Sequence, residues 1–193
     1  KEIEKLRTIK LSDKEVLDYI DIMFPLSENA TELQEKNPIM FHVRSKDVLK
    51  NCSHSENCIP FIIESPIFGK LIEELLKFYD EGEESLKNDD LKKIFLSDNI
   101  IFSNICKNKQ GFDAVFEKIG KEKLIEIGEK TGNTDILEAT ITMLINFIRN
   151  QSNIEVLEDQ FWKAVFQIIE KALNLKEKTP SLISKTLLLI SLI

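Results

Sequence analysis

Glycine and proline are scarce in this chain, six and five among 193 residues. A protein of strands and tight turns needs more of both, so the shortage speaks for helices joined by short loops. Positive charge is short as well: 26 Lys and Arg face 33 Asp and Glu, a net charge of −7. A nucleic-acid groove needs clustered cations to displace counterions, and here acids and bases are interspersed, so no nucleic-acid partner is expected. One acidic cluster, Asp80, Glu81, Glu83 and Glu84, sits beside Gly82 and reads as a solvated turn.

No apolar run reaches the ~18 residues of a membrane span, so no membrane partner is expected. The nearest, TLLLISLI (186–193), is too short and follows Lys185. The charged N-terminus lacks the apolar core of a signal peptide, and Lys in place of Met at its start suggests a fragment or processed chain. Three cysteines, an odd number without framework spacing, point to reduced thiols and a cytoplasmic or nuclear setting. Asn29-Ala30-Thr31 and Asn51-Cys52-Ser53 fit the glycosylation pattern and, without a signal peptide, read as coincidence.

Catalytic residues are few. There are two histidines, no glycine-rich phosphate loop and no paired-His motif. GEKTGNT (128–134) lacks the glycine spacing and preceding strand of a phosphate-binding loop. No enzyme and no cofactor is expected. NCSHSENC (51–58) does gather Cys52, His54 and Cys58 with Glu56, a zinc-compatible set of donors. Its spacing is irregular and its fourth ligand missing apart from distant His42. A polar loop with two ordinary thiols is the favoured reading, and a zinc-site or enzymatic protein centred there is the alternative from another class.

What the chain has is internal repetition. SNICKNKQGFDAVFEK (103–118) returns in outline as INFIRNQSNIEVLEDQ (145–160), a shift of 42 from 103 to 145. Both keep an Asn, two apolar residues, a cation and a second Asn, then Phe112-Asp113 or Ile154-Glu155. IGKEKLIEIGEKTGN (119–133) pairs with FWKAVFQIIEKALN (161–174), each ending in Glu-Lys, two residues and Asn. The first carries Ile119, Leu124, Ile125 and Ile127 and stops at Gly132-Asn133, read as a left-handed C-terminal stop. The second carries Phe161, Val165, Ile168, Ile169 and Leu173 on one helical stripe.

A longer helix follows each. LKKIFLSDNIIFSNIC (91–106), TDILEATITMLINFI (134–148) and TPSLISKTLLLISLI (179–193) align. A small residue stands at Ser97, Ala139 and Ser184, and seven positions on comes a short polar one, Asn104, Asn146 and Ser191. Between them lie the bulky pairs Ile101-Phe102, Met143-Leu144 and Leu188-Leu189. The small residue admits a neighbouring helix and the bulky pair fills the core. A period of about 40–47 residues with two or three helices per unit is that of armadillo and HEAT repeats.

The run A-x-x-x-M-L-x-N-F (139–147) resembles the third helix of an armadillo repeat, and the likeness extends over roughly 66–193. The resemblance implies an all-α, right-handed superhelical armadillo/HEAT-like solenoid acting as a non-enzymatic protein-binding scaffold or adaptor, such as an assembly chaperone or regulatory factor. It also implies that Asn104 and Asn146, with Lys107 and Arg149 beside them, line a concave partner-binding face. An amide there can donate to and accept from the backbone of an extended peptide. The competing reading is that each Asn ties its own repeat to a neighbouring turn. The importin-α form of that groove has a Trp four residues before each Asn; Ile100, Thr142 and Leu187 stand there, so nuclear-signal binding is not expected. NKQGFDAVFEK (108–118) is similar to the repeat of the GTPase-binding regulatory region of diaphanous-like formins, which implies a second possible function. Proteasome assembly chaperones of the same fold are a third.

Residues 61–193 are therefore read as armadillo-like repeats continuing past Ile193, and 1–60 as an N-terminal helical cap or accessory region. Within 1–60, Ser12 and Glu15 stand at capping-box spacing, and Pro25 and Pro38 divide the stretch. SPIFGKLIEELLKFY (65–79) reads as a helix with Ile67, Leu71, Leu75 and Phe78 inward. Trp162 and the stripe Phe95, Phe102, Phe112 and Phe116 read as core. The last helix is apolar on nearly all sides, which calls for more chain or for a partner, including a second copy. Oligomeric state stays open.

Overall fold

A computed structural model describes residues 38–81, 84–150 and 158–193. The capping-box pair Ser12/Glu15, Pro25 and the Ile154-Glu155 pair lie outside them. Every regular element among the described residues is helical and none is a strand. The α-helices are α1 (Pro38–Cys52), α2 (Ile59–Glu64), α3 (Pro66–Glu81), α4 (Asp89–Ile105), α5 (Lys109–Ile119), α6 (Lys121–Lys130), α7 (Thr134–Asn150), α8 (Asp159–Asn174) and α9 (Pro180–Ile190).

Asparagine sets three of the starts. The Asn88 side chain accepts from the N–H groups of Asp90 and Leu91 to open α4, and Asn108 does the same for Gln110 and Gly111 at α5. These bonds satisfy amides that a helix leaves unpaired at its first turn. Asn133 Oδ1 accepts from Asp135 and Ile136 at α7. This corrects the sequence reading of Gly132-Asn133 as a left-handed stop. The helix before it ends at Thr131, whose backbone is extended, and Asn133 begins the next one. The one positive φ among the described residues is at Gly120 (φ 76), which separates α5 from α6. Thr179 Oγ1 accepts from Leu182 N–H, and Pro180 occupies the first turn of α9, where its missing donor costs nothing.

Apolar spacing then decides which faces meet. Ile67, Leu71, Leu75 and Phe78 are all buried on α3, as their spacing predicts. Phe95, Phe102 and Phe112 are buried and Phe116 packs against them. A line of ring contacts runs from Phe112 through Phe116, Phe147 and Phe161 to Trp162, joining α5, α7 and α8. Leu173 departs from expectation: it is exposed on α8, and Ala172 takes the inward place.

Helix α7 lies between α4 and α9, and α6 lies against α8. Polar contacts between these layers join residues 41 to 47 positions apart. Lys123 donates to Asp80, Thr134 to the Glu177 carbonyl, Asn150 to the Cys106 carbonyl, and Thr179, Ser181 and Lys185 to Glu138. At the N-terminal end α1 packs along α4, and Leu49 and Ile59 belong to the same apolar core as α3 to α9.

Candidate functional site

Asn104 and Asn146 occupy equivalent places near the C-terminal ends of α4 and α7. Those ends are adjacent: the Asn150 amide, one turn past Asn146, donates to the carbonyl of Cys106 at 3.0 Å, two residues past Asn104. The structure therefore brings the two asparagines and their cations into one neighbourhood. Lys107 and Arg149 are both exposed.

The two amides behave differently. Asn104, 4% exposed, donates from Nδ2 to Ser53 Oγ at 3.0 Å and accepts at Oδ1 from Lys107 Nζ at 2.9 Å. It ties α4 to the end of α1. Asn146, 8% exposed, has no hydrogen-bond partner for Nδ2. A buried amide without a partner forfeits part of its hydration, which marks this group as different from its Asn104 counterpart. Ser191, at the equivalent place after α9, is exposed. Ile100 and Leu187 are exposed as well, and Thr142 donates to the Glu138 carbonyl one turn back.

A second polar group was not legible from spacing. Lys46 of α1, with a side chain 2% exposed, lies between Glu74 of α3 and Asp98 of α4, bonded to both, with Asp98 Oδ1 at 2.6 Å. His42 Nε2 sits 2.8 Å from Glu74 Oε1. Burial pushes the Asp98 carboxyl up to about 7; Lys46 opposes the rise and Glu74 adds to it. Burial also works against charge on Glu74, but His42 and Lys46 outweigh it and hold that carboxyl below its usual range. Burial, with Asp98 nearby, pushes the Tyr79 phenol up; its hydroxyl donates to Asn99 at 3.1 Å. This arrangement clamps α1 onto α3 and α4.

The cysteine segment straddles the end of α1 and a short turn. Cys52 and Cys58 are half-buried free thiols and His54 is exposed. Burial, with Cys58 nearby, raises the Cys52 thiol to about 11. Among the described residues no group of three potential ligands comes together. In the segment that resembles the formin repeat, Asn108 caps α5, and a Cβ at Gly111 would fall 2.4 Å from the Ile105 carbonyl oxygen. Local folding accounts for both residues.

A cleft of about 400 Å³ opens between the end of α3 and α6, lined by Tyr79, Asp80, Lys123, Glu126, Lys130 and Ile136 among others. Its cations are already paired, Lys123 with Asp80 at 2.8 Å and Lys130 with Glu126 at 2.6 Å. No helix among the described residues is long and apolar enough to cross a membrane. Compared with protein-family models, curated proteins and solved structures, the chain matches none of them.

Proposed function

We infer that this chain is a right-handed armadillo/HEAT-like scaffold that binds a protein partner across the C-terminal ends of α4 and α7. The repeat reading is supported by layer contacts that recur at 41 to 47 positions, the interval at which the sequence repeats. The observation that carries the binding reading is the buried, unpartnered Asn146 amide beside exposed Arg149 and Lys107. A peptide laid over these helix ends would bond the amide through a carbonyl once the side chains covering Asn146 shift, and acidic side chains on it would meet the two cations. Asn104 serves the structure in this reading, and Asn146 the partner.

Affinity capture with quantitative mass spectrometry tests this, comparing wild type with Asn146→Asp and with a Lys107→Glu/Arg149→Glu double reversal. A partner retained by wild type and lost by both variants, with thermal midpoints unchanged, is the expected result. If Asn146→Asp collapses the midpoint while the folded remainder still binds, the residue is structural and the reading fails. Loss of stability on Asn104→Ala of about 1–3 kcal/mol, from its buried bond to Ser53, is expected on either reading.

A further inference from the structure

Two helices pack on α4 by different means. Helix α7 buries apolar side chains there and elsewhere, Ile136, Leu137, Ile141, Met143 and Leu144 among them. On α1 the buried side chains among those described are Ser45, Lys46 and Leu49, two polar and one apolar. Val43 and Cys52 pack against the core only in part. Polar bonds do the rest of the holding. Lys46 is bonded to Glu74 of α3 and to Asp98 of α4, His42 Nε2 lies 2.8 Å from Glu74 Oε1, and the Asn104 amide of α4 donates to Ser53 Oγ at 3.0 Å. A helix fastened mainly by ionisable groups is fastened only in the right protonation state.

We propose that α1 is a proton-operated latch, closed on α3 and α4 while Asp98 carries a proton and released when Asp98 ionises. Lys46 is one ammonium between two carboxylates, and Asp98 Oδ2 is buried without a hydrogen-bond partner. With a proton on Asp98 the cluster balances, one cation to one anion. Without it a buried negative charge is left over, on an oxygen that nothing solvates. Moving α1 away admits water to both carboxylates. His42 acts in the same sense, because it adds a cation at Glu74 only when protonated. Among the described residues Lys46 and His42 are the cations that act on Asp98. Burial keeps Tyr79 of α3 a neutral phenol. The other carboxylates packed about α4 have cations of their own: Asp135 of α7 has Lys92, Glu84 of the preceding turn has Lys87, and Asp113 of α5 has Lys109, each at 2.6 Å. Burial raises Asp98 to about 7, so the closed state binds the proton more tightly than the released one. The latch therefore holds in acid and weakens as pH climbs to about 7. Release withdraws Ser53 from Asn104 and uncovers that amide on α4.

Hydrogen exchange of the full chain, read by mass spectrometry at about pH 5 and about pH 8 and corrected for the intrinsic rate, tests this. Wild-type α1 should be less protected than α7 at both values, which marks opening of α1 alone. Its protection should fall at least tenfold from the lower pH to the higher, and in Asp98→Asn it should stay level. Wild-type α1 exchanging no faster than α7 overturns the proposal, since α1 would then open only with the whole fold. A wild-type α1 whose protection does not change with pH overturns it as well, and these two outcomes decide even where Asp98→Asn does not fold. A folded Asp98→Asn that loses protection as the wild type does would assign the effect to another group.

Discussion

Lys46 and Asp98, 52 positions apart, meet at 2.6 Å in a part of the core where neither side chain reaches solvent. Desolvating two charges costs several kcal/mol each, and their attraction returns most of it only when every remaining bond is made. Here it is not: Asp98 Oδ2 has no hydrogen-bond partner. Lys46 is shared with Glu74, so a single cation serves two carboxylates. The pair fixes how α1 lies on α4 more than it stabilises the fold, and that imbalance is measurable.

Asp98 should make stability fall as pH rises. Its carboxyl is raised from 3.8 to about 7, so the native state holds a proton that the unfolded chain releases. The contribution is complete below the unfolded value of 3.8 and is lost progressively as pH climbs to about 7. Each pH unit of displacement is worth about 1.4 kcal/mol. Denaturant titrations at a series of pH values should show Asp98→Asn with a flatter profile than wild type across that window. Parallel profiles would mean that the carboxyl titrates near its ordinary value.

Part of this was legible in the sequence. Asp98 interrupts the row Ile94, Ile101 and Ile105, all buried, so an acid on an apolar stripe was there to be noticed. Its partner was not, because α1 has no clear apolar face and pairing over 52 positions is fixed only by tertiary packing. The helices read over 65–79, 91–106 and 134–148 are found there because apolar spacing acts locally. Asn104 and Asn146 look alike in sequence and differ in the structure, since Ser53, which satisfies the first, comes from outside the repeated segment. Asn133 was misread because Asn suits a helix end and a helix start alike, and one residue of spacing decides between them.

Three glycines should separate by what surrounds them. A Cβ at Gly69 meets nothing within 4 Å, so Gly69→Ala should stabilise α3 by about 0.5–1 kcal/mol through helix propensity. At Gly128 it would fall 2.5 Å from Ile168 Cδ1, 2.9 Å from Ile168 Cγ1 and 3.2 Å from Thr140 Cγ2, both fully buried residues, so crowding should outweigh the same gain and cost about 1 kcal/mol. At Gly111 it would meet the Ile105 carbonyl oxygen at 2.4 Å, and backbone cannot yield, so a loss of about 1–3 kcal/mol is expected. Urea unfolding of the three variants checks the order. Equal effects would show that the close approaches of α5 to α4 and of α6 to α8 are not tight.

Glu138 fastens α9 to α7, and its charge should be measurable as a pH-dependent loss. Oε1 accepts from Ser181 Oγ at 2.6 Å and from Lys185 Nζ at 2.8 Å, and Oε2 accepts from Thr179 Oγ1 at 3.0 Å. Burial works against the charge, but the bonds from Lys185 and Ser181 outweigh it and hold the carboxyl below 4.5. A depressed carboxyl contributes stability above its unfolded value and loses it as pH falls through the folded one. Glu138→Gln keeps the shape and removes the charge, so it should cost about 1–3 kcal/mol at neutral pH. The thermal midpoints of wild type and variant should converge as pH drops below 4.5. Hydrogen exchange should quicken in α9 before it does in α4, because α9 is the element the carboxylate holds. A deficit that stays constant with pH would mean that the side chain acts by packing, and that α9 is held by Leu182 and Leu189 in the core instead.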